Sequence, residues 1–232
     1  KKRVSTGIPN LDKIINGGFI RDTTNLVVGG SGSGKTVLAT QFLLEGVKNG
    51  ENCLYITFEE KKEQFYKNME SFGWNLKKYE DEGLFNFLEY TPEKVKTMLE
   101  EGGGTIESLV LRKKITRIVI DSITSFALLF KDELEKRESS LELFTLLRKW
   151  NCTSLLTYEE DPSSGLRSAT KTMEFESDSI INLYFIRKNR KRERYLEVLK
   201  MRGTNHSKEV YPFTLEKGGI NIQMKSVDGS SF

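Results

Sequence analysis

The chain alternates short aliphatic runs with longer amphipathic stretches. That rhythm is typical of strand and helix units stacked on a mostly parallel sheet. The aliphatic runs predict strands at residues 25–28, 53–58, 85–90, 117–121, 153–158 and 179–186. The amphipathic stretches predict helices near 35–49, 60–71, 92–111 and 135–150, the first of them followed by Gly50 as a stop signal. The sequence therefore predicts an α/β fold.

Past residue 178 the pattern changes to strand, basic turn and strand. Residues 180–186 and 195–201 predict an antiparallel hairpin that finishes the sheet. Two further short strands are expected near 210–214 and 220–224. No repeat, low-complexity tract or linker marks a second domain, and domains commonly have about 100–200 residues. We therefore expect residues 1–232 to form one domain.

Composition narrows the class of protein. Lys and Arg number 36 against 33 Asp and Glu, a net charge of +3 that requires neither nucleic acid nor an anionic membrane as partner. Hydrophobic residues at 37% and charged residues at 30% exclude a disordered chain and a membrane bundle. No run approaches the roughly 20 apolar residues of a spanning helix, and the first residues are polar. We expect a cytoplasmic protein with reduced, buried Cys53 and Cys152.

One segment fits the phosphate-loop pattern G-x-x-x-x-G-K-[ST], between a predicted strand and a predicted helix. Its glycines allow backbone N–H groups to surround a phosphate, and the helix N-terminus adds a positive dipole. We expect Lys35 to bridge the β- and γ-phosphates and Thr36 to offer its hydroxyl to Mg²⁺. The predicted ATP or ADP contacts are Gly29, Gly30, Ser31, Gly32, Ser33, Gly34, Lys35, Thr36 and Val37.

Carboxylates follow two other predicted strands. Asp121 ends an aliphatic strand, and the ends of parallel strands meet at one edge, so we expect Asp121 to hold the outer shell of the Mg²⁺ ion. Ser122 follows it, so a catalytic base must come from elsewhere. Glu59 and Glu60 end the strand at 53–58, and their mutual repulsion can raise the proton affinity of one carboxylate. The alternative is a solvated helix start, since two lysines follow.

With these motifs in view, the chain resembles the KaiC family of RecA-like P-loop ATPases over nearly its whole length. The segments that carry the resemblance are 5–12, 17–19, 58–60, 71–74, 121–125, 200–206, 211–213 and 219–220. The segment 200–206, with the sequence KMRGTNH, is the most specific of them. It resembles the stretch with which a KaiC-type subunit reaches the nucleotide of its neighbour.

The resemblance implies a hexameric ring with ATP between subunits. It makes Glu59 and Glu60, together with Lys35, the catalytic residues, and it places Ser71 near the base or ribose. The residues implied to contact the nucleotide of the neighbouring subunit are Lys200, Met201, Arg202, Thr204 and His206.

The charge of the phosphates also favours further cations at the site. A phosphate in its transition state needs cations, and Lys35 alone leaves one flank bare. Lys200 and Arg202 have the spacing that projects two side chains from one strand face, and we expect that strand at the far antiparallel edge of the sheet. From there a neighbour's nucleotide is the one within reach. A charged strand edge is the alternative.

The sequence also departs from the circadian members of the family. Those members have two such domains in one chain, so a clock function is not implied here. Glu174 and Phe175 stand where the autokinase half has a Ser-Thr acceptor pair, which excludes autophosphorylation at that place. Residues 157–160 lack an arginine that circadian members carry nearby. The sequence therefore looks more like the ATPase half, and we expect a slow ATPase that acts as a switch.

Two other functions stay open. Residues 187–194 carry six cations at a predicted hairpin tip, and the loop 161–172 is rich in Ser and Thr, so a nucleic-acid-binding motor or recombinase is an alternative. A solvated turn explains the cations equally well, because no aromatic residue interleaves them to stack bases. A regulatory scaffold that binds ATP is the other alternative. The protein client cannot be predicted from the sequence.

Overall fold

The computed structural model describes residues 2–164 and 171–225. The strands in these ranges form a two-stranded and a nine-stranded sheet. They are β1 (Arg3–Val4), β2 (Phe19–Ile20), β3 (Thr24–Gly29), β4 (Asn52–Thr57), β5 (Phe85–Glu89), β6 (Ile115–Asp121), β7 (Thr153–Glu159), β8 (Ser179–Lys188), β9 (Lys191–Met201), β10 (Val210–Glu216) and β11 (Gly219–Ile222).

The large sheet has the order β11-β10-β9-β8-β3-β7-β6-β4-β5. Strands β8, β3, β7, β6, β4 and β5 run parallel to one another, whereas β8, β9, β10 and β11 are joined by antiparallel pairings. The predicted α/β class, the mostly parallel sheet and the C-terminal antiparallel hairpin are thereby confirmed. The strand β9 is not outermost, contrary to our expectation, because β10 and β11 continue the sheet beyond it.

The helices of the described ranges flank this sheet. They are α1 (Pro9–Ile14), α2 (Lys35–Lys48), α3 (Lys62–Glu70), α4 (Leu76–Asp81), α5 (Pro92–Glu100), α6 (Gly104–Lys113), α7 (Ile123–Ala127), α8 (Glu133–Lys149) and α9 (Lys171–Glu176).

Two helix predictions need correction. The single helix predicted at 92–111 is two helices, α5 and α6, because Gly102 and Gly103 adopt φ angles of +74° and +130°, which a continuous helix cannot contain. The helix predicted from residue 60 begins at Lys62. Glu59 and Glu60 therefore lie in the connection after β4, not in the first turn of a solvated helix.

Successive side chains of β3 point to opposite faces of the sheet and pack into two different hydrophobic cores. Strand β3 is buried throughout, and Val27 joins one apolar cluster while Leu26 joins the other. The first cluster includes Phe42 of α2, and the second includes Phe144 of α8. The molecule therefore has a layer of helices on each side of the sheet, as an α/β architecture requires.

Parallel pairing decides where the functional segments lie. The last residue of β3, Gly29, pairs with Glu159 of β7, and Thr57 of β4 pairs with Asp121 of β6. These strands therefore end at one edge of the sheet, which we call the phosphate-loop edge because β3 leads there into residues 29–36. Met201, at the end of β9, pairs instead with the first residue of β8 and lies at the opposite edge.

Two further features concern the cysteines and the helices. Cys53 and Cys152 are buried free thiols, and burial raises the pKa of Cys152 to about 12, which keeps it protonated. None of the described helices has both the length and the apolarity needed to cross a bilayer.

Candidate nucleotide-binding site

The loop between β3 and α2 forms a cradle. Helix α2 begins at Lys35 after Gly34, whose φ is +106°, and no described side chain caps this helix start. Its free N–H groups and dipole favour an anion. A Cβ atom at Gly29 would lie 2.3 Å from Ser33 Oγ, so the close turn requires glycine there. Lys35 Nζ donates to the carbonyl of Gly30 at 2.9 Å.

The cradle has the properties of a phosphate site. Within the described residues Ser33 Oγ is buried without a hydrogen-bond partner. Burial lowers the pKa of Lys35, while the charges of Glu159, Asp121 and Glu59 act in the opposite direction. A bound anion would compensate both the lysine and the orphan hydroxyl. A cleft of about 250 Å³ opens here, lined by Gly32, Gly34, Lys35, Thr36, Val37, Arg194 and Leu215.

Asp121 accepts three hydroxyl groups at the end of β6. Thr36 Oγ1 donates to Asp121 Oδ2 at 2.8 Å, and Thr157 Oγ1 donates to Oδ1 at 2.6 Å. The hydroxyl of Tyr55 also donates to Oδ2. Burial, and then the Asp121 carboxylate, raise the pKa of Tyr55, so the phenol keeps its proton. Carboxylate and hydroxyl oxygens are the ligands of a hard cation, and the donor set therefore fits Mg²⁺.

Glu59 and Glu60 lie beside Asp121 at the phosphate-loop edge. The backbone N–H groups of both donate to Thr57 Oγ1, each at 3.2 Å, and Ser125 Oγ donates to Glu59 Oε1 at 3.3 Å. Burial raises the pKa of Glu60, and the carboxylates of Asp121 and Glu59 add to the shift. The mutual repulsion expected from the sequence is therefore present, but burial is the larger cause. A carboxylate with raised proton affinity is suited to take a proton from water.

Ser71 follows the last residue of α3 and is exposed. Its hydroxyl donates to the carbonyl of Asn68 at 2.7 Å. The next residue, Phe72, accepts a hydrogen bond from the backbone of Gly218 in the turn between β10 and β11 at 2.8 Å. Ser71 therefore lies where α3 meets the C-terminal strands.

The residues assigned to a neighbour's nucleotide lie elsewhere. Lys200 Nζ donates to the carbonyls of Glu174 and Ser177, both at 2.7 Å, and Arg202 Nη2 donates to the carbonyl of Phe175 at 2.6 Å. Arg202 follows the end of β9 rather than lying within it. Both cations therefore lie along the end of α9 at the opposite edge of the sheet.

The rest of this segment lies at the same opposite edge. Met201 pairs with Ser179, and Ser179 pairs with Asn25 near the start of β3. Along β3, about 3.3 Å per residue separates the two sheet edges by roughly 15 Å. Thr204 Oγ1 is buried without a partner in the described structure, and the buried His206 contacts the Ser207 carbonyl through Nδ1 at 2.6 Å. The structure therefore does not bring these residues to the phosphate loop of their own chain.

One further cation lies at the phosphate loop, and the sequence alone did not indicate its place there. Arg194 of β9 donates to the carbonyl of Gly32 from Nε at 3.1 Å and from Nη2 at 2.9 Å. Its guanidinium lies 4.2 Å from the centroid of the Phe185 ring. In the sequence Arg194 is hidden among the other cations of 187–194, and only the pairing of Phe185 with Arg194 between β8 and β9 reveals its position.

Tyr55, Thr157 and Glu159 were also missed. Tyr55 and Thr157 have polar tips within apolar strands, which was the available signal. Glu159 ends β7 beside Gly29, and its backbone N–H donates to Thr124 Oγ1 at 2.8 Å. Its charge is the strongest electrostatic support of the Lys35 ammonium.

Comparison with known proteins identifies the family. A family model described as the KaiC ATPase matches residues 4–227. The chain belongs to the KaiC ATPase family. The circadian clock protein KaiC3 of a Synechocystis species is 32% identical over 236 residues, which covers 98% of this chain and 47% of that protein. The circadian clock oscillator protein KaiC of Synechococcus elongatus is 34% identical over 228 residues, covering 95% of this chain and 44% of that protein.

A solved structure supports the same conclusion. A KaiC-like protein from the hyperthermophilic archaeon Pyrococcus horikoshii OT3 matches with a TM-score of 0.84 and 37% identity, over 96% of this chain and 99% of that one. The fold is therefore RecA-like, as expected. The chain spans about half the length of the curated KaiC relatives, 47% and 44% of the two described above.

Proposed function

We propose that this protein binds ATP and ADP with Mg²⁺ and hydrolyses ATP slowly, as a switch within a hexameric ring. The observation that best supports nucleotide binding is the convergence of Lys35, the orphan Ser33 hydroxyl and the uncapped start of α2 on one cleft. Membership of the KaiC ATPase family supports ATP as the ligand. The proposal includes one ATPase domain over residues 1–232 and a cytoplasmic location.

The residues predicted to bind the nucleotide and to catalyse its hydrolysis have distinct roles in this proposal. The amides of residues 29–34 and Lys35 bind the β- and γ-phosphates, Val37 supports the first turn of α2, and Ser71 contacts the base or ribose. Thr36 and Asp121 hold Mg²⁺, which neutralises phosphate charge when bound. Glu59 and Glu60 orient a water whose oxygen bonds to the γ-phosphorus as the bond to the bridging oxygen breaks. The proton of that water passes to one of these carboxylates.

The ring is proposed because the candidate nucleotide-contacting residues of one chain lie at two opposite edges of the sheet. Hydrolysis needs cations around the γ-phosphate, and Lys200 and Arg202 lie too far from their own phosphate loop to supply them. A neighbouring subunit can present its opposite edge to the cleft, with Met201, Thr204 and His206 touching the same nucleotide. A repeated head-to-tail contact of this kind closes into a ring when the rotation permits.

Calorimetric titration of ATP in the presence of Mg²⁺ tests the binding function. Lys35→Ala should abolish tight binding, because the cradle loses the cation that compensates the phosphates. Lys48→Ala is a matched control, since Lys48 is an exposed lysine in the last turn of the same helix. An unchanged dissociation constant for Lys35→Ala would refute the assignment, and light scattering with ATP present tests the ring.

A nucleic-acid-binding motor is a second candidate, favoured by the basic hairpin. Arg192 lies 5.1 Å from the Phe185 ring, so the hairpin does have an aromatic residue beside its cations. The loop 161–172, which also suggested this function, lies partly outside the described residues. Stimulation of the ATPase by single-stranded DNA that weakens with salt would favour the motor. ATP binding without turnover would instead favour a regulatory scaffold.

A further inference from the structure

Tyr55 is a polar residue placed deep in the first hydrophobic core. It lies on β4 in the sequence NCLYIT, and only 1% of it is exposed. Core packing alone needs only the ring, and a phenylalanine would avoid burying a hydroxyl group. The tyrosine hydroxyl donates to Asp121 Oδ2. The hydroxyl therefore has a specific partner, which is the carboxylate assigned to Mg²⁺.

Aromatic packing fixes where this hydroxyl points. The Tyr55 ring stacks on Phe87 with centroids 5.5 Å apart and an interplanar angle of 9°. Phe65 packs against another side of the ring at 4.6 Å. A ring held in this way cannot turn away without disturbing two neighbours. The position of the hydroxyl is therefore set by the core rather than by Asp121.

Three structural elements supply the hydroxyl groups around Asp121. Thr36 comes from α2, Tyr55 from β4 and Thr157 from β7. Thr36 gives its one proton to Asp121 Oδ2, which leaves its oxygen lone pairs available to a cation. Tyr55 and Thr157 donate to different carboxylate oxygens, so together they fix the plane of the carboxyl group. Without either donor, the remaining hydrogen bonds would resist rotation of the Asp121 carboxyl group less strongly.

We propose that Tyr55 is a positioning residue for the Mg²⁺ site, whose hydroxyl holds the Asp121 carboxylate in the orientation that serves the ion. This inference rests on the proposed function, because it presupposes Mg²⁺ and nucleotide at the phosphate loop. Tyr55 touches neither the nucleotide nor the ion in this assignment. It acts through Asp121, as outer hydrogen-bond partners commonly do at metal sites.

The test is Tyr55→Phe, which removes one oxygen and keeps the packed ring. Affinity for a fluorescent ATP analogue is titrated at a series of Mg²⁺ concentrations and also in EDTA. We expect the Mg²⁺ concentration that gives half of the maximal increase in nucleotide affinity to rise about tenfold. That is the usual effect of losing a hydrogen-bond partner of a metal-binding residue. The affinity in EDTA should not change, because Tyr55 makes no contact with the phosphates.

Tyr66→Phe is the matched control. Tyr66 packs in the same aromatic group, 5.7 Å from Phe87, but its hydroxyl donates to Glu80. The Tyr66→Phe variant also loses one hydroxyl oxygen from this core. The Mg²⁺ dependence of its nucleotide affinity should equal that of the wild type. In an Asp121→Asn background, Tyr55→Phe should cause no further change, because the residue it positions has lost its charge.

The possible results separate this inference from the function beneath it. Equal Mg²⁺ dependence in the wild type and Tyr55→Phe would overturn the positioning role while nucleotide binding stands. A Tyr55→Phe protein that loses affinity equally with and without Mg²⁺ would show a general structural role and overturn it as well. If the wild type binds no nucleotide, the proposed function and this inference both fall.

Discussion

Arg194 donates two hydrogen bonds, of 3.1 Å and 2.9 Å, to the carbonyl of Gly32 in the phosphate loop of its own chain. The guanidinium carbon of Arg194 lies over the Phe185 ring, 4.2 Å from the ring centroid. The β8–β9 hairpin is therefore attached to the nucleotide cradle. Of the six cations in residues 187–194, Arg194 binds the phosphate loop and is not part of a solvated hairpin tip. The cation also adds positive charge next to the cleft that Gly32 and Lys35 line.

Arg194→Gln should weaken ATP binding. The substitution removes two charge-assisted hydrogen bonds that hold Gly32 in place and a positive charge beside the cleft, so we expect calorimetry to show a higher dissociation constant for ATP. Arg190→Gln, in the turn between β8 and β9, removes the same charge without removing a bond to the loop. Equal losses in the two variants would mean that general charge, and not the Gly32 contact, is responsible.

Glu59→Gln combined with Glu60→Gln should retain nucleotide and lose hydrolysis. An amide cannot accept a proton from water, and general base catalysis contributes about 10²–10⁴-fold to rates. Phosphate release measures the turnover, and calorimetry measures the retained binding. Glu63→Gln in the first turn of α3 is the control, since Glu63 is exposed and lies just beyond the pair. Turnover at the wild-type rate in the double variant would place the base elsewhere.

The raised pKa of Glu60 predicts a cost in stability at neutral pH. Partial desolvation of the exposed Glu60 side chain, together with the charges of Asp121 and Glu59, makes the folded state bind the Glu60 proton more tightly than the unfolded state does. The proton on Glu60 contributes its full stabilisation of the folded state at pH values below the ordinary pKa of 4.5. That stabilisation is lost as the pH rises through the higher pKa that Glu60 has in the folded state. Glu60→Gln should therefore unfold at a higher denaturant concentration than wild type at pH 7.5.

The same comparison at low pH provides the check. The advantage of Glu60→Gln should shrink as the pH falls towards 4.5, because wild-type Glu60 then carries its proton as well. A constant difference between wild type and Glu60→Gln across this range would contradict a role for the charge.

Local signals predicted the core of the phosphate-loop edge. The buried run of β3, the glycine pattern and the start of α2 are close in the sequence, so periodicity and motif spacing were sufficient. The break between α5 and α6 was missed, because apolar positions continue on both sides of it and outweighed the glycines at 102 and 103. Periodicity shows which face is buried, not where the chain stops being helical.

Long-range register explains what the sequence could not predict. Tyr55 and Thr157 are ordinary strand residues by propensity. They reach Asp121 only because β4 and β7 flank β6, with Thr57 opposite Asp121 and Leu156 opposite Ile120. The same holds for Arg194, whose place over the loop depends on pairing between β8 and β9. Residue type alone does not specify these neighbours.

The separation of the two sheet edges leads to a prediction about assembly. Arg202→Ala removes the cation offered to a neighbour, whereas the double glutamine variant at residues 59 and 60 removes the base of the receiving site. Each protein alone should be inactive. When they are mixed and subunits exchange, an Arg202→Ala subunit can receive the intact Arg202 of its neighbour. Such an interface has both the carboxylates and the cation, so ATPase activity should return.

The size of the recovery tests the geometry. In an equal mixture about one interface in four has the productive order, because a head-to-tail contact has distinct donor and receiver sides. Activity near a quarter of wild type is therefore the expected result. Arg21→Ala is the control for Arg202→Ala, since Arg21 is an exposed arginine just before the first residue of β3, at the sheet edge where Arg202 also lies. The Arg21→Ala substitution should leave activity intact. If exchange is proven by fluorescence transfer and no activity returns, Arg202 does not act across the interface, and its contacts with the Phe175 carbonyl and the Asp178 carboxylate are then structural.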